Sequence, residues 1–145
     1  LNQRLESLTF SELMSQLEID ENHTPEGVPI HFGGPVEAGR GFVLHTSDYQ
    51  QDATLEVESG VAVTATVDIL KAIARGNGPK KSLLALGYAG WGPGQLDMEI
   101  RANGWLQAPG DSELIFDTDL DTKWERAIHR LGIDPRMLSD DVGHA

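Results

Sequence analysis

Glycine is concentrated in two short stretches of this chain. Gly33, Gly34, Gly39 and Gly41 stand close together with Pro35 among them, and Gly87, Gly90, Gly92 and Gly94 form a second group. Glycine supplies backbone conformations and close approaches that a Cβ forbids. Both stretches are therefore expected to hold unusual backbone. The first reads as a structured turn or bulge leading into a strand from Phe42 to Thr46. The second reads as a loop between a strand and the start of a helix.

The rest of the chain alternates helical and strand patterns around these two points. Thr9 and Glu12 have the T-x-x-E spacing of a capping box, with Phe10, Leu13, Met14 and Leu17 following at helical spacing, which predicts a helix near 10–18. The acidic stretch from Ile19 to Gly27 reads as a connection, and Val28 to Phe32 as a short strand. Leu55 to Glu58 and Val61 to Thr64 flank Ser59-Gly60 and predict a hairpin. Thr66 is placed to cap a helix running to about Arg75, with Gly76 as its stop. Ser82 to Ala89 is almost continuously apolar and suits a central strand buried on both faces. Gln95 to Asn103 is helical in pattern. Trp105 to Gln107 and Glu113 to Phe116 read as further short strands, and Leu120, Trp124, Ala127, Ile128 and Leu131 as the apolar side of a last helix ended by Gly132. Asp134 to Ala145 reads as surface structure.

Composition narrows the class. At 145 residues with 39% hydrophobic residues, the chain suits one domain with one core. Eleven Lys and Arg against 23 Asp and Glu give a formal charge of −12. That field repels nucleic acid phosphates and anionic head groups, so direct DNA binding and membrane association are disfavoured. The one basic cluster, Lys71, Arg75, Lys80 and Lys81, suits a helix C-terminus as well as an anion. Cysteine is absent, which removes disulfides, thiol nucleophiles and thiolate metal sites and fits a cytoplasmic protein. No apolar run approaches the roughly 20 residues of a membrane-spanning helix.

Catalytic and metal motifs are weak. Gly90 to Gly94 spells G-x-G-x-G, neither a dinucleotide fingerprint nor a P-loop. Pro93 removes a donor there, and Asp97 and Glu99 would repel a phosphate. His31 and His45 bracket the first glycine cluster, but the five histidines show no metal-ligand spacing. No serine elbow is present. These patterns predict no catalytic residues, no metal and no cofactor. If a ligand pocket exists, its candidate lining is Gly33, Gly34, Pro35, Arg40, His45, Tyr88, Gly90, Trp91 and Gln95.

Several motifs in order carry a resemblance: His31-Phe32-Gly33-Gly34-Pro35-Val36, Gly41-Phe42-Val43-Leu44-His45, Gly87-Tyr88-Ala89-Gly90-Trp91 with Gln95-Leu96 and Glu99, Asn103-Gly104-Trp105, Ile115-Phe116-Asp117, Trp124 and Gly143-His144-Ala145. The chain resembles the bacterial YqgE/AlgH family along nearly its whole length. The resemblance implies an α+β fold in which a bent, divided and mostly antiparallel sheet forms a pseudo-barrel flanked by about four helices. It also implies N-terminal strands ahead of Leu1, because Leu1-Asn2-Gln3-Arg4-Leu5 is similar to the middle of the family pattern, with Arg4 where proline is common. On this reading residues 1–145 are a single domain lacking those strands. The family is described as uncharacterised, with a label of transcriptional regulator, and no catalytic residues carry over. Two functions follow as expectations: a cytoplasmic regulator of gene expression acting through a protein partner, or a small-molecule or nucleotide binding protein, possibly an enzyme, using the two glycine-rich loops. Oligomeric state is not implied by either.

Overall fold

The computed structural model describes residues 3–20, 28–58, 60–116 and 119–137. Its element order is α1 (Phe10–Gln16), β1 (Ile30–Phe32), β2 (Val36–Thr46), β3 (Leu55–Glu58), β4 (Val61–Thr64), α2 (Val67–Ala74), β5 (Ser82–Tyr88), α3 (Gln95–Arg101), α4 (Ser112–Phe116) and α5 (Lys123–His129), with a 3-10 turn at Pro135–Met137. The strands form one five-stranded sheet in the order β1-β5-β2-β4-β3. β1 pairs with β5 in parallel, and the other pairs are antiparallel. The fold is thus α+β with a mostly antiparallel sheet, and the sheet is open. Residues 3–5 add to its β1 side: Leu5 N–H donates to Ile30 O at 2.8 Å and Phe32 N–H to Gln3 O at 2.9 Å.

β5 is hydrogen-bonded on both sides, which explains its unbroken apolar run. Its register sets the two faces of the sheet. Leu84 lies opposite both Ile30 and Val43, and these three pack with Phe10 and Met14 of α1 and Ile69, Leu70, Ile73 and Ala74 of α2. The main core therefore lies between one sheet face and the first two helices. On the other face, His31 and Leu83 share a small cavity of about 30 Å³ with Ile115 and Phe116 of α4 and with Leu120. α3 lies outside both layers and buries none of its side chains.

The helix starts show local chemistry at work. The Thr9 hydroxyl accepts from Glu12 N–H at 3.1 Å, as the capping-box spacing requires. Thr66 occupies the cap position of α2, but its hydroxyl makes no capping bond; it lies 3.5 Å from Gln51 Oε1 instead. Two strand expectations are overturned. Glu113 to Phe116 is helical because the Asp111 carboxylate accepts from Leu114 N–H at 2.9 Å and starts a turn, a signal stronger than four apolar-rich residues. Trp105 to Gln107 is no strand, since the Trp105 indole is drawn toward α3. The first glycine cluster is less of a turn than expected: β2 is continuous through it, with a register shift between Val36 and Gly41. β5 is flanked by β1 and β2, so it is interior, although β2 holds the middle of the sheet. The hairpin forms as predicted, with a bulge between Glu56 and Glu58; Ser59 lies outside the described residues, as do most of the 19–27 connection and the tail beyond 137.

Gly87 is the most constrained backbone position of β5. Its φ is +81° and an added Cβ would stand 2.3 Å from Gly34 O. Gly87→Ala is expected to lower unfolding free energy by at least about 2 kcal/mol. Urea denaturation followed by circular dichroism checks this; a loss within experimental error of zero would refute the close contact.

Candidate functional site

The two glycine clusters meet, but backbone to backbone. Gly33 N–H donates to Leu86 O at 2.8 Å. A Cβ on Gly33 would lie 2.3 Å from Gly87 O, and one on Gly34 would lie 2.3 Å from the Tyr88 carbonyl carbon. These glycines allow two chain segments to touch, and the contact itself leaves no space for a ligand. Gly94, at the start of α3, has φ +75°, and Gly90 and Trp91 are exposed before it.

Beside that contact the irregular part of β2 builds a small exposed cluster. The Arg40 guanidinium lies 5.4 Å from the Phe42 ring centre and 5.9 Å from that of Tyr88, and the two rings meet edge to face at 5.8 Å. Glu37, at φ +44°, stands 3.5 Å from Arg40. Hydrogen bonding to Tyr88, assisted by Arg40, holds the Glu37 carboxyl below its ordinary value. The same bond raises the Tyr88 phenol. Strand alternation alone would set Tyr88 on the face of Leu84 and Leu86; the positive φ of Gly87 lies at the point where that alternation breaks.

A second cluster fixes the α3 region. One carboxylate oxygen of Glu99 accepts from both Trp105 Nε1 at 2.7 Å and Trp91 Nε1 at 3.0 Å. The other accepts from the Gln95 amide at 3.1 Å, and Gln95 Oε1 in turn accepts from Gly92 N–H at 2.9 Å. The indoles pack edge to face at 5.7 Å. Donation by Trp105, Trp91 and Gln95 holds the Glu99 carboxyl below its usual range. Glu99 was legible in the sequence as an acid unfavourable to phosphate and as one residue of the family motif, not as the partner of the two indoles. The usable signal was two tryptophans flanking one acidic helix, since a packed indole N–H needs an acceptor.

His45 belongs to neither cluster. It lies opposite Ser82 in the sheet, whereas Val36 lies opposite Tyr88, so six residues of β5, about 20 Å of strand, separate the two positions. The ring is fully buried. Nδ1–H donates to Thr46 O at 2.8 Å, because a carbonyl can only accept. Nε2 is then placed to accept from the Thr64 hydroxyl at 2.8 Å. Thr64 accepts from the Thr54 hydroxyl at 2.8 Å, and Thr54 from Gln51 N–H at 3.0 Å. This chain of donors ties β2, β4 and the 47–54 loop together. Of the predicted lining, the structure thus joins Gly34 with Tyr88, Tyr88 with Arg40, and Trp91 with Gln95 through Glu99; Gly33 meets Leu86 and Gly87 instead, and Pro35 is exposed beside Gly34. Among the described residues, no group of three His, Asp or Glu side chains could hold a metal ion, and no helix is long and apolar enough to cross a membrane.

Comparison with known proteins matches this arrangement to one family. The AlgH-like family model covers residues 1–136. This chain belongs to the AlgH-like family. A UPF0301 protein of Rhodospirillum rubrum is 52% identical over 145 residues, covering all of this chain and 76% of the relative. A UPF0301 protein of Rhodopseudomonas palustris is 54% identical over 153 aligned residues, covering all of this chain and 72% of the relative. The solution structure of the AlgH protein from Pseudomonas aeruginosa superposes with a TM-score of 0.71 at 39% identity, covering 99% of this chain and 76% of that one. The family is uncharacterised.

Two outcomes test the clusters. Because the Glu99 carboxyl is held low, its bonds to the indoles contribute fully above the ordinary glutamate range and are lost as pH falls through the lowered value. Tryptophan fluorescence is therefore expected to change in that acid window, and Glu99→Gln to abolish the transition; an unchanged transition would place its source elsewhere. Thr64→Val leaves the buried His45 Nε2 without its donor and is expected to cost about 1–3 kcal/mol in thermal or urea unfolding.

Proposed function

We propose that this chain is a cytoplasmic regulator of gene expression that acts through protein contacts and does not grip DNA itself. The observation that supports this most is the α3 region. Its inner side is bound by Glu99 to both tryptophans, yet Met98 is 64% exposed and Leu96 and Leu106 are 37% and 41% exposed. A rigid scaffold presenting apolar side chains to water is the kind of surface that proteins use to bind one another. The charge argues in the same direction. At −12 overall, and with Asp97 and Glu99 on α3 itself, association with a phosphate backbone would be repulsive. A helix that reads DNA presents several Arg, Lys, Asn or Gln to a groove; on α3 the Gln95 amide is bonded to Glu99, and Arg101 in the last turn is the helix's one cation beside Asp97 and Met98.

Fluorescence anisotropy with a labelled duplex at low salt separates direct from indirect action. No saturable binding is expected, and affinity that rises as salt is lowered would overturn the proposal. A photo-crosslinking side chain introduced at Met98 in living cells is expected to give a discrete protein adduct that the same group at exposed Asp52 does not give.

A further inference from the structure

β3 is the last strand in the sheet order, so β4 pairs with one of its edges and the other edge faces outward. Backbone N–H and C=O groups along such an edge are left to water and can serve as a template for another extended chain. Proteins commonly guard these edges with lysine, proline, a bulge or a covering segment. The sequence of β3, LEVE, contains neither lysine nor proline. A bulge is present between Glu56 and Glu58, yet Leu55 and Val57 remain 67% and 56% exposed. Nothing among the described residues covers them.

Register fixes which side chains an added strand would meet. Leu55 lies opposite Val63 and Glu56 opposite Ala62, so Leu55 and Glu56 project to opposite faces of the sheet. Glu56 is exposed and accepts from the Ser47 hydroxyl at 3.4 Å, a long bond that leaves the carboxylate able to pair with a cation. The chemistry of the edge then narrows the occupant. A helix has its backbone groups bonded within itself and cannot complete a ladder, whereas an extended segment can. A second copy of this chain is the wrong partner. Pairing β3 with its own copy would set two glutamates from each chain along one seam and join two molecules of charge −12. Charge therefore selects a basic strand.

We propose that the outer edge of β3 takes up an extended segment of another protein in which Lys or Arg alternates with apolar residues, the cation lying beside Glu56 and an apolar side chain beside Leu55. Main-chain bonds to β3 supply the pairing, and the alternation of side chains supplies the selectivity. The four residues of β3 offer about 13 Å of ladder, which suits a transient contact. This surface is built from other residues than α3 and does not depend on that helix being a contact.

The test is an amide NMR titration of the protein with the peptide acetyl-Lys-Val-Lys-Val-Lys-Val-amide. Saturable shifts centred on Leu55 to Val57 are expected, with slowed hydrogen exchange there. The same peptide methylated on its backbone nitrogens cannot form a ladder, and the counterpart with glutamate in place of lysine lacks the cations; neither is expected to bind. These peptide arms use the unaltered protein and decide the matter even if a variant misfolds. Glu56→Lys should weaken the basic peptide by about tenfold and Leu55→Ser several-fold, both with native circular dichroism because the side chains are exposed. Absence of saturable shifts, or equal binding by the methylated peptide, overturns the edge as a docking strand. Unchanged affinity in Glu56→Lys overturns the basic partner. Shifts at β3 that grow with protein concentration in the absence of peptide would assign the edge to a second copy and overturn it as well.

Discussion

The close approach of two backbones, at Gly33 and Gly34 on one side and Gly87 and Tyr88 on the other, governs much of what surrounds it. Strands in a sheet normally hold their backbones apart by hydrogen-bond length and their side chains by the pleat. Here Cβ atoms would stand 2.3 Å from neighbouring backbone, a separation that no side chain tolerates. The contact ends the pairing of β1 with β5 and lies where the alternation of β5 breaks, at Gly87. Tyr88 thereby meets Phe42 and Arg40 instead of joining the core side of the sheet. The aromatic and ionic cluster on β2 is a consequence of this backbone contact.

From there outward the chain divides its work between layers. The sheet face carrying Ile30, Val43 and Leu84 takes the two earliest helices and most of the core, while the C-terminal helices approach the opposite face. α3 joins neither layer and relies on one carboxylate with three donors. Buried apolar area holds the layers together in proportion to its extent. A small polar network can set geometry with little area, and this explains how a region without buried side chains keeps a defined arrangement.

Glycine serves two different ends in this molecule. At 33, 34 and 87 it permits contact, and replacement there would force backbone apart. At 39 and 41 a side chain could be added into open or adaptable surroundings, and these glycines accompany the register shift of β2. Composition treats these positions alike; only their neighbours in space distinguish them.

The sequence alone determined the elements whose signals are local. The Thr9–Glu12 capping spacing, the apolar run of β5, the Val61–Thr64 hairpin arm and the stop at Gly76 each depend on near neighbours in the chain, and each stands where periodicity and turn chemistry place it. Ordered motifs such as His31 to Val36 and Gly87 to Trp91 also carried the family, because their spacing is preserved however the chain folds. Tertiary structure decided the rest. Asp111, through one hydrogen bond, made a helix of a stretch too short for periodicity to judge. Glu99 became the partner of two tryptophans, and His45 came to lie a strand length away from the residues it was expected to join. These outcomes depend on register and packing across the sheet, where residues far apart in sequence compete for the same donors and the same space.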